Sequence, residues 1–263
     1  MSARAAPSAP RRPAAEATGP EAPAGGDYVA RWWSRAPDGR LRCDLCPRHC
    51  TLRDGQRGFC FVRVRRGDAI VLTTYGRSSG FALDPIEKKP LSHVLPGSTI
   101  LSFGTAGCNL ACKYCQNWEI STSRDIDTLA ATATPTALAA VAQKEGAVGV
   151  AFTYNDPVIF AEYAIDTATA CHEAGLMAVA VSAGWIEPGP RRELFGAVDA
   201  ANIDLKGFTE EFYRRTTGAR LGDILDTLVD IRAMGTWLEV TTLLIPGFND
   251  SDAELAALCA WMA

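Results

Sequence analysis

The chain has 263 residues, with 26 Lys and Arg against 30 Asp and Glu for a formal net charge of −4, and it is 48% hydrophobic and 21% charged. That length holds one large domain with an appendage, and so ordinary and slightly acidic a composition offers no electrostatic case for nucleic-acid binding. No apolar run reaches the ~18 residues of a membrane helix, the first residues lack the apolar stretch of a secretory signal, and nine cysteines, mostly in metal-like spacings, predict reduced thiols in a cytoplasmic protein rather than a disulfide framework.

Residues 1–26 are rich in Ala and Pro and poor in large apolar side chains, so they cannot offset their ordering entropy and are expected to be disordered. A transit peptide is the weaker alternative, because Glu16 and Glu21 intrude. Residues 27–97 form a Cys-rich N-terminal region and 98–263 the core domain. A short helix is expected over 28–33, with Trp32 and Trp33 packing on the body. Next come Cys43-x2-Cys46-x3-Cys50 and then Cys60, four thiols in eighteen residues with turn-forming glycines between them. That arrangement suits a small metal knuckle, with His49 as a possible substitute ligand. Zinc and a second iron–sulfur cluster are both compatible, and free thiols in a reduced cytosol are the alternative. The basic groups Arg63-Val64-Arg65-Arg66 and Arg214-Arg215 read as solvated surface. Residues 69–74 are β-branched and read as a strand, and 75–91 as a polar connector.

Residues 99–104 read as a buried strand feeding Gly107-Cys108-Asn109-Leu110-Ala111-Cys112-Lys113-Tyr114-Cys115-Gln116-Asn117-Trp118. Its cysteines stand at C-x3-C-x2-C, and no fourth follows within a dozen residues. Structural zinc sites and four-cysteine clusters close their coordination, whereas three thiolates leave one metal position open to a small molecule. Buried structural thiols or zinc ligands are the plainer alternative.

From here the pattern repeats strand then helix. Helices are expected over 135–145, with Thr134 as N-cap before Pro135, over 157–174, 209–215 and 221–234, and from 251 onward. Strands are expected over 148–154, 177–182, 201–205 and 238–245. Continuous apolar strands alternating with helices imply a parallel α/β sheet covered on both faces, and pattern alone leaves barrel and doubly wound sheet open. In either, ligands meet the loops at the C-terminal ends of the strands. Those loops carry Asn155 and Asp156, Ser182 with Gly184, Asp204 and Lys206, and the segment 245–250. Asp204 and Lys206 alternate along a strand and so share one face. The plainer readings are a turn capped by Asn155 or Asp156, a salt bridge between Asp204 and Lys206, and a turn capped by Asn249 or Ser251.

The stretches CPRHC, RGFC, ALDPIEKKPL, LPGSTILSFGTAGCNLACKYCQNWEIS and NIDLKGFTEEFYRRTTG resemble the radical S-adenosylmethionine (SAM) enzyme of the AmmeMemoRadiSam system, a family related to pyruvate formate-lyase activating enzymes. The resemblance runs from about Cys43 to the chain end. It implies a partial (β/α)6 barrel, of which five strand–helix units are countable before Ala263, so the sixth is expected to be missing. It also implies that Cys108, Cys112 and Cys115 hold a [4Fe–4S] cluster whose open iron takes the amino and carboxylate groups of SAM, with Tyr114 shielding the cluster. Asn155 and Asp156 then fall where the superfamily binds the SAM amino group, although Asp156 replaces a longer Glu. Ser182 falls near SAM, where Ala183 replaces an amide. Asp204 and Lys206 fall beside the ribose and carboxylate, and 245–250 along the adenine.

The activity implied is that of an oxidoreductase: reductive cleavage of SAM to a 5′-deoxyadenosyl radical that abstracts hydrogen from a substrate the sequence does not identify. A glycyl-radical-enzyme activase is one alternative, and a non-catalytic iron–sulfur or zinc electron carrier or scaffold is another. A one-electron donor such as a flavodoxin or ferredoxin is an implied partner. So are a protein substrate and, by association, AMMECR1-like and Memo-like proteins.

Overall fold

The apolar runs of the second half fold as parallel strands joined through helices. The computed structural model describes residues 27–124 and 131–263; the stretch 1–26, read as disordered, lies outside the described residues. A six-stranded sheet is built from β1 (Gly80–Pro85), β2 (Thr99–Gly104), β3 (Gly149–Phe152), β4 (Met177–Ser182), β5 (Ala200–Asp204) and β6 (Trp237–Thr241). Its order is β6-β5-β4-β3-β2-β1. The last five strands run parallel, in register Val150 with Leu101, Val179 with Ala200 and Ala200 with Trp237. β1 runs antiparallel to β2, Gly80 facing Gly104 and Pro85 facing Thr99.

The longer helices are α1 (Pro135–Lys144), α2 (Ala161–Glu173), α3 (Pro188–Ala197), α4 (Leu221–Met234) and α5 (Asp252–Met262). Thr134 caps α1 as expected, accepting from the Ala137 amide at 3.2 Å ahead of Pro135. α1 packs on α2, α2 on α3 and α3 on α4, so these four form a single layer. They cover the face that carries Leu101, Phe103, Phe152, Ala180, Ala201 and Ile203. Alternate residues of the same strands point the other way. There Ile100, Ala151, Val179 and Ala200 pack against Ile86, Leu91 and Val94. The sheet is covered on both faces as expected, by these four helices on one and by the segment carrying Ile86, Leu91 and Val94, with a single 3-10 turn at Ile86–Lys88, on part of the other. One helical layer outside and side chains inside is the architecture of a partial barrel.

Two expectations are corrected. Residues 28–33 are not helical; Tyr28–Val29 and Trp33–Arg35 are strands of two small antiparallel sheets. They are recruited because Tyr28–Val29 pairs with Ala69–Leu72, and Trp33–Arg35 with Leu41–Cys43. The polar connector 75–91 contains β1, which gains a complete ladder with β2 despite its exposed Phe81 and Leu83. Asp84 of β1 accepts from the Lys89 ammonium at 2.8 Å and the Tyr154 hydroxyl at 3.2 Å.

The Cys-rich region packs directly on the core domain, and one apolar cluster runs through both. Arg63 and Glu162 are buried at this junction and bonded through two oxygens. Tyr28 stacks on Tyr75 at 4.2 Å, and the Tyr75 hydroxyl donates to Asp166 at 2.7 Å.

Candidate active site

The loops leaving the C-terminal ends of β3, β4 and β5 are tied to the cysteine loop 105–118. Asn155, buried after β3, accepts from the Thr105 amide at 2.9 Å and donates to the Thr105 hydroxyl at 3.1 Å and the Gly107 carbonyl at 2.9 Å. Asn109 donates to the Trp185 carbonyl beyond β4 at 2.8 Å. The Ala111 and Lys113 amides donate to the Thr217 and Thr216 carbonyls, beyond β5, at 2.8 and 2.9 Å. Gly107 has φ +82°, and a Cβ there would lie 2.0 Å from the Cys60 carbonyl oxygen. Only glycine admits both that backbone and that approach.

Cys108, Cys112 and Cys115 ride on this loop as free, half-buried thiols. Burial, with the Asp156 carboxylate adding to it, pushes the Cys108 thiol up to about 12. Burial pushes Cys112 up to about 11, with the Lys206 cation working in the opposite direction. Without metal these two thiols are protonated near neutral pH, and metal binding must displace their protons. Among the described residues, no three acidic, thiol or imidazole side chains stand close enough to hold one metal ion. A single zinc, with Zn–S near 2.3 Å, would gather three sulfurs tightly; a four-iron cluster takes each thiolate on a separate iron.

Of the other residues singled out in the sequence, three turn inward on the protein. Asp156 accepts from the Val158 amide (3.1 Å), the Ser182 hydroxyl (2.8 Å) and the Ala183 amide (2.9 Å). Burial raises its carboxyl above the usual range, and those donors work against the rise. The Ser182 oxygen also accepts from the Gly184 amide at 2.9 Å. The polar atoms of Asn155, Asp156 and Ser182 thus join the loops after β2, β3 and β4.

Asp204 and Lys206 differ. Their head groups meet at 2.7 Å, and the pair is partly accessible, at 34% and 16% of the side chain. Burial works against the lysine charge, but Asp204 and the Cys112 sulfur outweigh it, so the ammonium is held above its ordinary range. The Tyr213 hydroxyl accepts from the Lys206 amide at 2.9 Å, and Asn249 donates to the Lys206 carbonyl at 2.8 Å, which pins the backbone of this pair. Asn249 also donates to the Leu243 carbonyl. It organises the 245–250 turn, while Ser251 caps α5. Tyr114 packs against Phe212 at 6.2 Å between ring centres. Its buried hydroxyl has no partner among the described residues. A buried orphan hydroxyl and an ammonium near Cys112 are donors that a bound polar molecule would satisfy.

Sequence reasoning missed Arg48. Its guanidinium donates to the Asn109 carbonyl and lies over the rings of Phe59 at 3.5 Å and Trp185 at 5.0 Å. Nothing in the local pattern of 46–50 foretells partners so distant along the chain.

Residues 103–259 match the radical SAM superfamily. The chain belongs to that superfamily. Radical SAM enzymes use a [4Fe–4S] cluster together with SAM, and the expectation for both cofactors stands. An uncharacterized protein of Methanocaldococcus jannaschii is 36% identical over 86% of this chain and 67% of its own length. The 4-hydroxyphenylacetate decarboxylase activating enzyme of Clostridioides difficile is 26% identical over 43% of this chain and 37% of its own. The pyruvate formate-lyase-activating enzyme of Clostridium pasteurianum is 23% identical over 58% of this chain and 64% of its own. The chain thus spans about two thirds of the archaeal relative and little more than a third of the decarboxylase activating enzyme. Among solved structures, SAM-bound SuiB of Streptococcus suis aligns at a TM-score of 0.48 and 12% identity, over 62% of this chain and 38% of that one. Among the described residues, no helix of this radical SAM protein is long and apolar enough to cross a membrane.

Proposed function

We propose that this radical SAM protein binds a [4Fe–4S] cluster through Cys108, Cys112 and Cys115 and cleaves SAM reductively. The observation that carries the reading is the loop itself: three free thiols at C-x3-C-x2-C, anchored from the loops after β3, β4 and β5. When bound, the cluster supplies one electron to the SAM sulfonium, releasing methionine and a 5′-deoxyadenosyl radical.

The protein's own part is to bind and orient. Lys206 offers an ammonium to the SAM carboxylate, and Asp204 accepts from the ribose hydroxyls, so their mutual bridge opens on binding. Lysine suits this role as a mobile point charge. Tyr114 covers the cluster side, with its unpartnered hydroxyl available to the ligand. Asn155, Asp156 and Ser182 act through position, since their bonds to one another and to the loops hold the pocket walls at fixed distances. Orientation of this kind lowers the barrier without any covalent role for the side chains.

The substrate class supported best is a protein glycine, as in glycyl-radical activation. The names of two relatives, both activating enzymes, favour it. An external one-electron donor, a flavodoxin or ferredoxin, follows from the same reading. The stretch ALDPIEKKPL with CNLACKYCQNW supports the narrower AmmeMemoRadiSam assignment, and with it AMMECR1-like and Memo-like proteins as partners. The test is iron and acid-labile sulfide in the chain reconstituted anaerobically, against single Ala variants at Cys108, Cys112 and Cys115. Loss of most of that iron in each variant is expected; retention in all three would sink the assignment of ligands.

A further inference from the structure

We infer that Lys89 and Ser102, on the face of the sheet opposite the helical layer, form a subsite for a carboxylate, and that the glycine-bearing segment this protein acts on carries an acidic side chain beside that glycine. The inference rests on the substrate reading above and adds the charge of the substrate to it. Its starting point is the stretch ALDPIEKKPL. Asp84, near the end of β1, stands opposite Ile100, and Ile86 and Leu91 then pack on the inner face. The Asn202 side-chain amide donates to the Pro90 carbonyl at 2.9 Å. The Ser92 and His93 amides donate to Glu239 of β6 at 2.8 and 3.0 Å. The segment thus crosses the inner face from β1 to β6 as a floor, and Lys89 lies in it with 4% of its side chain exposed.

Charge and unfilled hydrogen bonds point to an acidic ligand. The Lys89 ammonium donates to Asp84 at 2.8 Å and lies 4.9 Å from the centre of the Tyr154 ring. The same carboxylate accepts from Lys88 at 3.1 Å and from the Tyr154 hydroxyl at 3.2 Å. Two ammoniums therefore share one carboxylate, and one positive charge is left over. The segment's other carboxylate, Glu87, accepts from the Gly97 amide at 2.6 Å. An ammonium has three donors, and among the described residues Lys89 spends one of them, on Asp84. Ser102, two residues beyond Ile100 on the same face, is fully buried and close enough to the Tyr154 phenol to act on its acidity. Its hydroxyl nevertheless makes no hydrogen bond among the described residues, and neither does the buried Oδ1 of Asn202. Buried polar atoms of this kind call for a partner. A carboxylate accepts from Lys89 and Ser102, and an N–H of the peptide that bears it suits the Asn202 oxygen.

Tyr154 joins this subsite to the cysteine loop. Its backbone is held at φ +69°, rare for a bulky residue, and its carbonyl accepts from the Asn117 side-chain amide of that loop at 2.8 Å. Backbone strain of this sort persists where the surroundings over-determine it, and it clusters at functional sites. Through Tyr154 the carboxylate subsite is one residue removed from the loop that presents Cys108, Cys112 and Cys115.

The test measures binding and needs no turnover. Fluorescein-labelled glycine-centred peptides, identical except for Glu, Gln or Lys beside the glycine, are titrated by fluorescence anisotropy into the anaerobically reconstituted, unreduced chain with SAM present. The Glu peptide should bind about ten- to a hundred-fold more tightly than the Gln peptide, the worth of a hydrogen bond to a charged group. Lys89→Met should abolish that preference. Because this change also removes a bond of the floor, Ser102→Ala is the second variant. Its orphan hydroxyl holds nothing in the fold, so Tm should stay at the parental value or rise while the Glu peptide binds about tenfold more weakly. Equal binding of the Glu and Gln peptides, binding of none of the three, or a preference for Glu that survives both changes would overturn the subsite. Release of 5′-deoxyadenosine by the same preparation after reduction separates the two failures. A chain that cleaves SAM without discriminating the peptides loses this inference alone. Absent cleavage counts against the proposed function, and the peptide ratios still decide the subsite.

Discussion

Arg63 and Glu162 form a two-point ion pair with both side chains buried, across the junction between the Cys-rich region and α2. The Arg31 amide donates to the same carboxylate at 2.9 Å, and the Arg63 Nε to the Ile159 carbonyl at 3.1 Å. Burial alone would raise the Glu162 carboxyl; the Arg63 charge and these bonds outweigh it and hold it below its ordinary range. Removing one partner of such a pair strands a buried charge, at a cost of roughly 3–5 kcal/mol. Glu162→Gln should lower the unfolding free energy by that order in urea titrations. The double change Arg63→Met with Glu162→Leu should restore much of it. A Glu162→Gln protein as stable as the parent would show that the junction does not depend on this pair.

The same pair sets a pH dependence. Because the folded carboxyl lies below its unfolded value of about 4.3, the folded state binds fewer protons there. The contribution is therefore complete above that value and lost as pH falls through the folded one. Melting curves at decreasing pH should show a steeper loss of stability below about pH 4.5 in the parent than in Glu162→Gln. Parallel curves would refute the linkage.

Much of this architecture was legible in the residues. The strands Thr99–Gly104 and Met177–Ser182 coincide with their apolar runs, and Thr134 before Pro135 is a local signal read correctly. β1 was not legible, because its pairing depends on β2, fourteen residues on, while Asp84 and Pro85 look like turn formers. The junction pair spans 99 residues, and no window of sequence contains it. At the site, the spacing of Cys108, Cys112 and Cys115 was plain, as was the shared face of Asp204 and Lys206. That Asn155 spends its polar atoms on Thr105 and Gly107, and Asp156 and Ser182 theirs on one another, depends on three loops meeting in space, which composition does not encode.

Asp204 and Lys206 are a partly accessible polar pair of the site. Lys206→Ala and Asp204→Ala should each weaken SAM binding by one to two decades, since hydrogen bonds to charged groups contribute roughly 1.5–3 kcal/mol. Iron loading should be unchanged. Calorimetric SAM affinity and the melting temperature, measured together, separate this from a structural bridge. Lower Tm with unchanged affinity would mean that the pair serves the fold.

Gly107 offers a test of the seating of the cysteine loop. Gly107→Ala places a methyl 2.0 Å from the Cys60 carbonyl oxygen in a backbone of φ +82°, so either the loop or the Cys-rich region must move. Iron retained after reconstitution should fall along with Tm. The neighbouring change Ala111→Gly, at an exposed position, should affect iron retention far less. Full retention in Gly107→Ala would show that the contact with Cys60 does not position the loop.

The central claim is that the open three-cysteine site cleaves SAM. Its most direct test is 5′-deoxyadenosine released by the anaerobically reconstituted, dithionite-reduced chain supplied with SAM. The intact chain should release 5′-deoxyadenosine and methionine in equal amounts, and the variant with Cys108, Cys112 and Cys115 all changed to Ala should release none above background. An intact chain fully loaded with iron and sulfide that binds SAM yet forms no 5′-deoxyadenosine, or a triple variant as active as the parent, would contradict the account.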